Sequence, residues 1–248
     1  MKKFAFLFLF VKVSLFGAEI TIAVAANVSY AILDLKKEFN KIYPNTKVKV
    51  VLGSSGKLTA QIKNGAPYNL FMAADMKYPK ALFEQKIAIS KPVVYAKGSL
   101  AYFSKNAKSF SKGIALVKDN CIDIIAIANP KTAPYGKATL EAMKKADIYE
   151  HIKSKLVYAE SISQTVSYVM TAADIGFIAK SSLYSDKMRQ FKKGIHWEDV
   201  DTTLYTPINQ GIVILKDSKD KVAVKEFYDF IFSKKAKNIF ASYGYLVK

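Results

Sequence analysis

Apolar residues in this chain come in two spacings that take turns. Short unbroken runs suit buried strands, and stretches with a stripe every three to four residues suit helices. Residues 19–25 (EITIAVA) form the first run, and a helix is predicted from about Ser29 to Asn40 with Ala31, Leu35 and Phe39 on one stripe. A strand at 47–52, a helix at 58–63 ended by Asn64-Gly65, a strand at 69–73 and a helix at 78–85 follow. Strands at 93–96 and 101–103 lie on either side of Gly98. This βαβαβ order calls for a parallel sheet covered by helices on both faces.

The alternation then restarts. Residues 122–128 read as a buried strand, 137–145 as a helix, 156–159 as a short strand, 163–172 as a helix and 175–179 as a strand. Residues 204–211 carry Pro207 and Gly211, a strand is predicted at 212–215, and two helices are predicted near 222–232 and 235–242. The chain passes between its two halves near Lys97–Leu100 and again near Tyr205–Gly211, which implies two lobes with a cleft between them. Lobe 1 is assigned residues 19–98 plus 211–248, and lobe 2 residues 99–210. No fixed-period repeat is present.

Four of the strand-to-helix junctions share a chemistry. Ala25-Ala26-Asn27-Val28-Ser29, Gly53-Ser54-Ser55-Gly56, Ala133-Pro134-Tyr135-Gly136 and Ser161-Ile162-Ser163-Gln164 each break an apolar run with small or hydroxyl residues before a helical pattern. A strand that ends this way aims unpaired N–H groups and a helix dipole at one spot. One such turn is common; two in each half point to a small anion held between α/β lobes, outside the carboxyl ends of the strands. A fully ionised tetrahedral oxyanion only accepts hydrogen bonds, so its pocket should present donors. Asn27 Nδ2, Ser55 Oγ, Tyr135 Oη and helix-start amides answer that need. A monoprotonated phosphate also needs an acceptor, and Asp75 and Glu160 lie near these motifs. Individually each residue has a plainer role: Asn27 or Ser29 as a helix N-cap, the glycines in tight turns, and Tyr135 as a buried aromatic.

Composition adjusts this picture. The 248 residues are 51% hydrophobic and 23% charged, a globular balance, with a formal net charge of +18. Basicity of that size raises nucleic-acid binding. However, the lysines are scattered and Arg189 is the only arginine, so no nucleic-acid partner is expected. Lys57 and Lys137 follow two of the turns, but the glycine spacing does not make a Walker A loop, so both read as surface charges. The N-terminus has Lys2-Lys3, an apolar stretch from Phe4 to Phe16 and the small pair Gly17-Ala18, which reads as a signal peptide (1–18) cleaved near Gly17 or Ala18. An exported, periplasmic protein is expected. Cys121 is the sole cysteine and sits in an apolar run, which reads as a buried inert thiol. His151 and His196 have no partner at metal-ligand spacing.

At the four turns the sequence resembles the periplasmic molybdate-binding proteins that feed ABC importers, the ModA family. The resemblance is carried by AVAAN at 23–27, GSSGKLTAQI at 53–62, NGAPYNLFMAAD at 64–75, IANPKTAPYGKATLEAM at 127–143, GFIAKSSL at 176–183 and FASYGY at 240–245. It implies an α/β, two-lobed type II periplasmic-binding-protein fold. Each lobe would be a mixed, mostly parallel sheet flanked by helices, with the ligand cleft between them. It implies a bound molybdate or tungstate, contacted through its oxygens only, with no direct metal ligand, no other cofactor and no catalysis. Carried across by position, the oxyanion-binding residues are Asn27, Ser54, Ser55, Tyr135 and Ile162, the last through its backbone N–H. A position held by Tyr in some members falls on Ala179, so Tyr135 would supply the phenol from the opposite lobe. The implied partner is a membrane permease of an ABC importer, and the chain is expected to act as a monomer. Two other chemistries stay open on the residues alone: another tetrahedral anion such as sulfate or phosphate, and ferric ion held by several of the 15 tyrosines. A hydrolytic enzyme has no Ser/His/Asp set to support it.

Overall fold

The computed structural model describes residues 17–247 apart from 217, 219 and 220. The apolar stretch read as a signal peptide lies almost wholly outside the described residues. No helix among the described residues is long and apolar enough to cross a membrane.

Two five-stranded sheets carry the fold. In the first, β1 (Ala18–Ala25) lies between β2 (Thr46–Gly53) and β3 (Leu70–Met72), and β10 (Ile208–Ile214) and β4 (Val93–Gly98) complete the order β2-β1-β3-β10-β4. In the second, β6 (Ile125–Ala128) lies between β7 (Leu156–Ala159) and β8 (Ile175–Ala179), followed by β5 (Leu100–Phe103) and β9 (Trp197–Asp199). The β1–β2, β1–β3, β6–β7 and β6–β8 pairs are parallel, whereas β10 and β5 each run antiparallel to both neighbours. The antiparallel half of each sheet follows from the two passages between lobes. β4 runs straight into β5 through Ser99, and β10 returns beside β4, with Ile208 opposite Gly98.

Burial explains the strand sequences. All four residues of β6 are fully buried, as a central parallel strand covered on both faces requires. Helix α1 (Ile32–Ile42) lays Ile32, Leu35 and Phe39 on the first sheet, and α7 (Lys221–Ile231) and α8 (Lys234–Ser242) join the same core. The Phe39 ring meets Phe227 and Phe230 with centroids 5.0 and 5.5 Å apart in edge-on geometry. Each such ring contributes about 1.5–3 kcal/mol by leaving water. On the other side of that sheet, α2 (Ser55–Lys63) and α3 (Lys77–Glu84) cover Ala23, Phe71 and Val213. In the second lobe, α4 (Pro134–Lys145) and α6 (Ile162–Thr171) take opposite faces of the sheet. A further short helix, α5 (Tyr149–Ile152), follows α4.

Two local expectations change. The strand predicted from Ile122 begins only at Ile125, because the Asp174 carboxylate draws the N–H groups of Asp123 and Ile124 to 2.8 and 2.9 Å and holds them out of the ladder. Cys121 therefore sits in the preceding turn and is exposed, not buried. Strand β9 is only the three residues Trp197-Glu198-Asp199, too short to carry a periodic signal in the sequence.

Candidate functional site

The four turns come together for a topological reason. β1 and β2 are parallel neighbours in one sheet, and β6 and β7 are parallel neighbours in the other, so their carboxyl ends finish side by side. β1 ends in the tight turn Ala26–Val28, β2 feeds α2, β6 leads into α4 and β7 leads into α6. Between them is a small cavity lined by Ala25, Ala26, Asn27, Gly53, Ser54, Ser55, Ala74, Ala133, Pro134, Tyr135 and Ile162. All five residues singled out from the sequence are on its wall, and each is at least 95% buried, Ser55 fully.

Each side chain is held differently. Ser54 is the N-cap residue of α2, yet its hydroxyl makes no cap bond; its Oγ is buried without a partner among the described residues. Ser55 Oγ accepts the Ala74 N–H at 2.9 Å, which leaves its own O–H free to be donated. Ile162 opens α6 behind the N-cap Ser161, whose hydroxyl accepts from Gln164 N at 3.4 Å. The helix ladder supplies no acceptor for the N–H of Ile162, nor for that of Tyr135 in the first turn of α4. Carboxylates are absent from this wall: Asp75 lines a neighbouring crevice with Lys77 and Lys137, and Glu160 pairs with Lys57 at the cleft mouth. Lys57 is thus more than a surface charge, since it joins the two lobes; Lys137 is 3.7 Å from Glu141 on its own helix.

Asn27 departs from its expected role as an amide donor to the anion. Both of its Nδ2 hydrogens are engaged, one with Gln210 Oε1 at 2.7 Å and one with Tyr245 Oη at 3.0 Å. Nor is it a helix cap, because α1 starts at Ile32 with Ala31 before it. Its carbonyl receives the hydroxyls of Tyr245 at 2.8 Å and Ser181 at 3.0 Å, the latter from the opposite lobe. The Tyr135 phenol is fully buried and unpartnered among the described residues, packed over the Cα of Gly98 where β4 leaves the first sheet. Burial pushes its pKa well above the ordinary tyrosine value, against a smaller opposite pull from the Asn27 amide beside it, so it stays a neutral O–H. Burial likewise raises Tyr245 to about 12. Ala179 ends β8, carries no phenol and does not line the cavity; it lies in the same lobe as Tyr135, not in the opposite one.

The turn pattern does not single out Gln210, Tyr245, Tyr95 or Ser181, which the fold brings to Asn27, Tyr95 by way of Gln210. Gln210 has a usable signal: with Asn209 it puts side-chain amides inside the apolar run INQGIVIL, a position that burial would penalise without partners.

Among the described residues no group of three His, Cys, Asp or Glu side chains could hold a metal ion. What the cleft offers is neutral hydrogen-bond donors, out of water, on the walls of two lobes. That is how a solute-binding protein closes on its ligand. Residues 20–246 match the family model described as bacterial extracellular solute-binding protein. The chain is 37% identical over 233 residues to the molybdate-binding protein ModA of Azotobacter vinelandii (92% of this chain, 90% of that one) and 35% identical over 235 residues to ModA of Rhodobacter capsulatus (94% and 90%). The solved structure of the Azotobacter vinelandii periplasmic molybdate-binding protein superposes with a TM-score of 0.85 at 30% identity, covering 92% of this chain and 99% of that one. The chain belongs to the ModA family of bacterial extracellular solute-binding proteins, which carry ligands outside the cytoplasm and are not enzymes.

Proposed function

We propose that this protein captures molybdate, and tungstate with it, and delivers the anion to the membrane permease of an ABC importer. The observation that carries the reading is the small cavity between the lobes, whose wall offers the hydroxyls of Ser54 and Ser55 and first-turn amides and no carboxylate. A dianion there meets donors only. Charge-assisted hydrogen bonds contribute on the order of 1.5–3 kcal/mol each, so the four donors of this wall together support tight binding after ordering costs. The relatives named for molybdate support the choice of anion. In this reading Ser54 and Ser55 donate through their hydroxyls, Tyr135 and Ile162 through main-chain N–H groups, and Asn27 completes the wall. The lobes, residues 19–98 with 211–248 and residues 99–210 apart from 208–210, which β10 holds in the first sheet, close on the anion as a population shift driven by contacts made only in the closed form. The N-terminal segment 1–18 directs export and is removed, and the mature protein works as a monomer without nucleic acid.

Titration calorimetry with molybdate, tungstate, sulfate and phosphate tests this. Molybdate and tungstate are expected to bind at least a hundredfold more tightly than sulfate or phosphate. Sulfate binding as tight as molybdate would refute the choice of anion. Phosphate is disfavoured because Asp75 and Glu160, the acceptors that a protonated anion would need, stand outside the cavity.

A further inference from the structure

We propose that Gln210 is a positioning residue for the anion site, closing a three-residue hydrogen-bonded circuit that ties Asn27 of one lobe to Tyr135 of the other. The proposal rests on the oxyanion reading above. Gln210 is fully buried on β10, the strand that returns from the second lobe, and the ladder with β4 shifts register between Gln210 and Gly211. A bulge of that kind re-aims a side chain, and here Gln210 is turned toward Asn27 and Tyr95. Its Oε1 accepts from Asn27 Nδ2 at 2.7 Å and from Tyr95 Oη at 2.9 Å.

Three polar atoms in this corner lack a partner among the described residues: Gln210 Nε2, Tyr135 Oη and Asn27 Oδ1. They belong to three residues that meet at one point. A methyl group on Gly98 would strike the Tyr135 hydroxyl and come within 2.8 Å of Gln210 Nε2, so the bare Cα is what lets the phenol and the amide lie together. Because an amide N–H cannot accept and a carbonyl cannot donate, one cyclic pattern satisfies all three atoms and also gives the phenol proton an acceptor. Gln210 Nε2 donates to Tyr135 Oη, Tyr135 donates to Asn27 Oδ1, and Asn27 Nδ2 donates to Gln210 Oε1 as already observed. A small tightening of the lobes completes the circuit. Burying these groups unpaired is costly, so the circuit favours the closed lobes and fixes the spacing of the Asn27 and Tyr135 turns. Gln210 touches no anion in this arrangement; it acts through the two turns that do.

Gln210→Met keeps the side-chain length and removes both polar atoms. Gln210→Met and Tyr135→Phe are each expected to lower molybdate affinity about tenfold by calorimetry, and the double variant to lose little more than either one. Wild-type affinity in Gln210→Met, or fully additive losses, would overturn the proposal. Tyrosine ring-carbon spectra of the anion-free protein, with the Tyr135 signal identified by its disappearance in Tyr135→Phe, read the same contact independently of any ligand. A shifted Tyr135 signal in Gln210→Met supports the circuit, and an unmoved one overturns it, whether or not wild-type protein binds molybdate. If Gln210→Met does not fold, Gln210→Glu replaces it: the carboxylate keeps an acceptor for Asn27 and Tyr95, has no N–H for the phenol, and must also shift the Tyr135 signal.

Discussion

Gly56 should control how far the cleft can close. It lies in the first turn of α2, and its N–H donates across the lobes to Thr132 O at 2.8 Å. A Cβ at Gly56 would stand 2.9 Å from both Cα and O of Thr132, and 2.7 Å from Tyr78 Oη. The tyrosine end can swing aside; the Thr132 backbone cannot without moving its lobe. Ordinary contact begins at 3.4 Å, so in Gly56→Ala the seam must open by about half an ångström. That stretches the inter-lobe hydrogen bond, which contributes about 0.5–1.5 kcal/mol, and adds about 1–3 kcal/mol of overpacking. Both penalties fall on the closed form, so molybdate affinity should drop by between about ten- and about a thousandfold at 1.4 kcal/mol per factor of ten. Alanine is the better helix former by up to about 1 kcal/mol, so the anion-free protein should melt no lower than wild type. Calorimetry, thermal melts without anion, and small-angle scattering with and without molybdate make the test. Affinity within twofold of wild type, or a melting loss as large as the binding loss, would refute the reasoning.

Ser55→Ala removes a donor from the cavity and orphans the Ala74 N–H, so it should cost roughly 1–3 kcal/mol in anion affinity together with a lower melting temperature in scanning fluorimetry. Lys57 and Glu160 are about half exposed, with 52% and 58% of their side-chain surface accessible, so this latch is a weak one. Lys57→Ala should speed molybdate release only about two- to fivefold in stopped-flow measurements, an effect erased at 1 M salt, and the charge swap Lys57→Glu with Glu160→Lys should restore the slow rate. Burial raises the pKa of Asp75, against the pull of Tyr78 N–H, Lys77 and Lys137, so the folded protein holds that proton more firmly than the unfolded chain does. Stability should accordingly fall as pH rises from below 3.8 through the raised value, and Asp75→Asn should remove that part of the slope. At neutral pH the variant should melt higher, by no more than about 2–4 °C, as followed by circular dichroism.

Much of this protein is legible without coordinates. The alternating runs and stripes determine two α/β halves, because a strand buried on both faces needs an unbroken apolar run and a surface helix needs a stripe. The breaks after 25, 53, 133 and 161 mark the wall of the cavity between the lobes for the same local reason: small and hydroxyl residues leave helix-start donors uncovered. Local pattern carries no information about partners far along the chain. Asn27 reads as a free donor until Gln210, 183 residues away, and Tyr245, 218 residues away, are seen to take both of its hydrogens. Cys121 reads as buried until the Asp174 carboxylate delays β6. Gly56 reads as a turn residue until α2 is set against Thr132 across the cleft. Residue chemistry and periodicity determine which elements form and which donors they expose. Which donors remain free is decided only when two sheets are folded against each other, since a hydrogen once given to a distant acceptor is no longer available to a ligand.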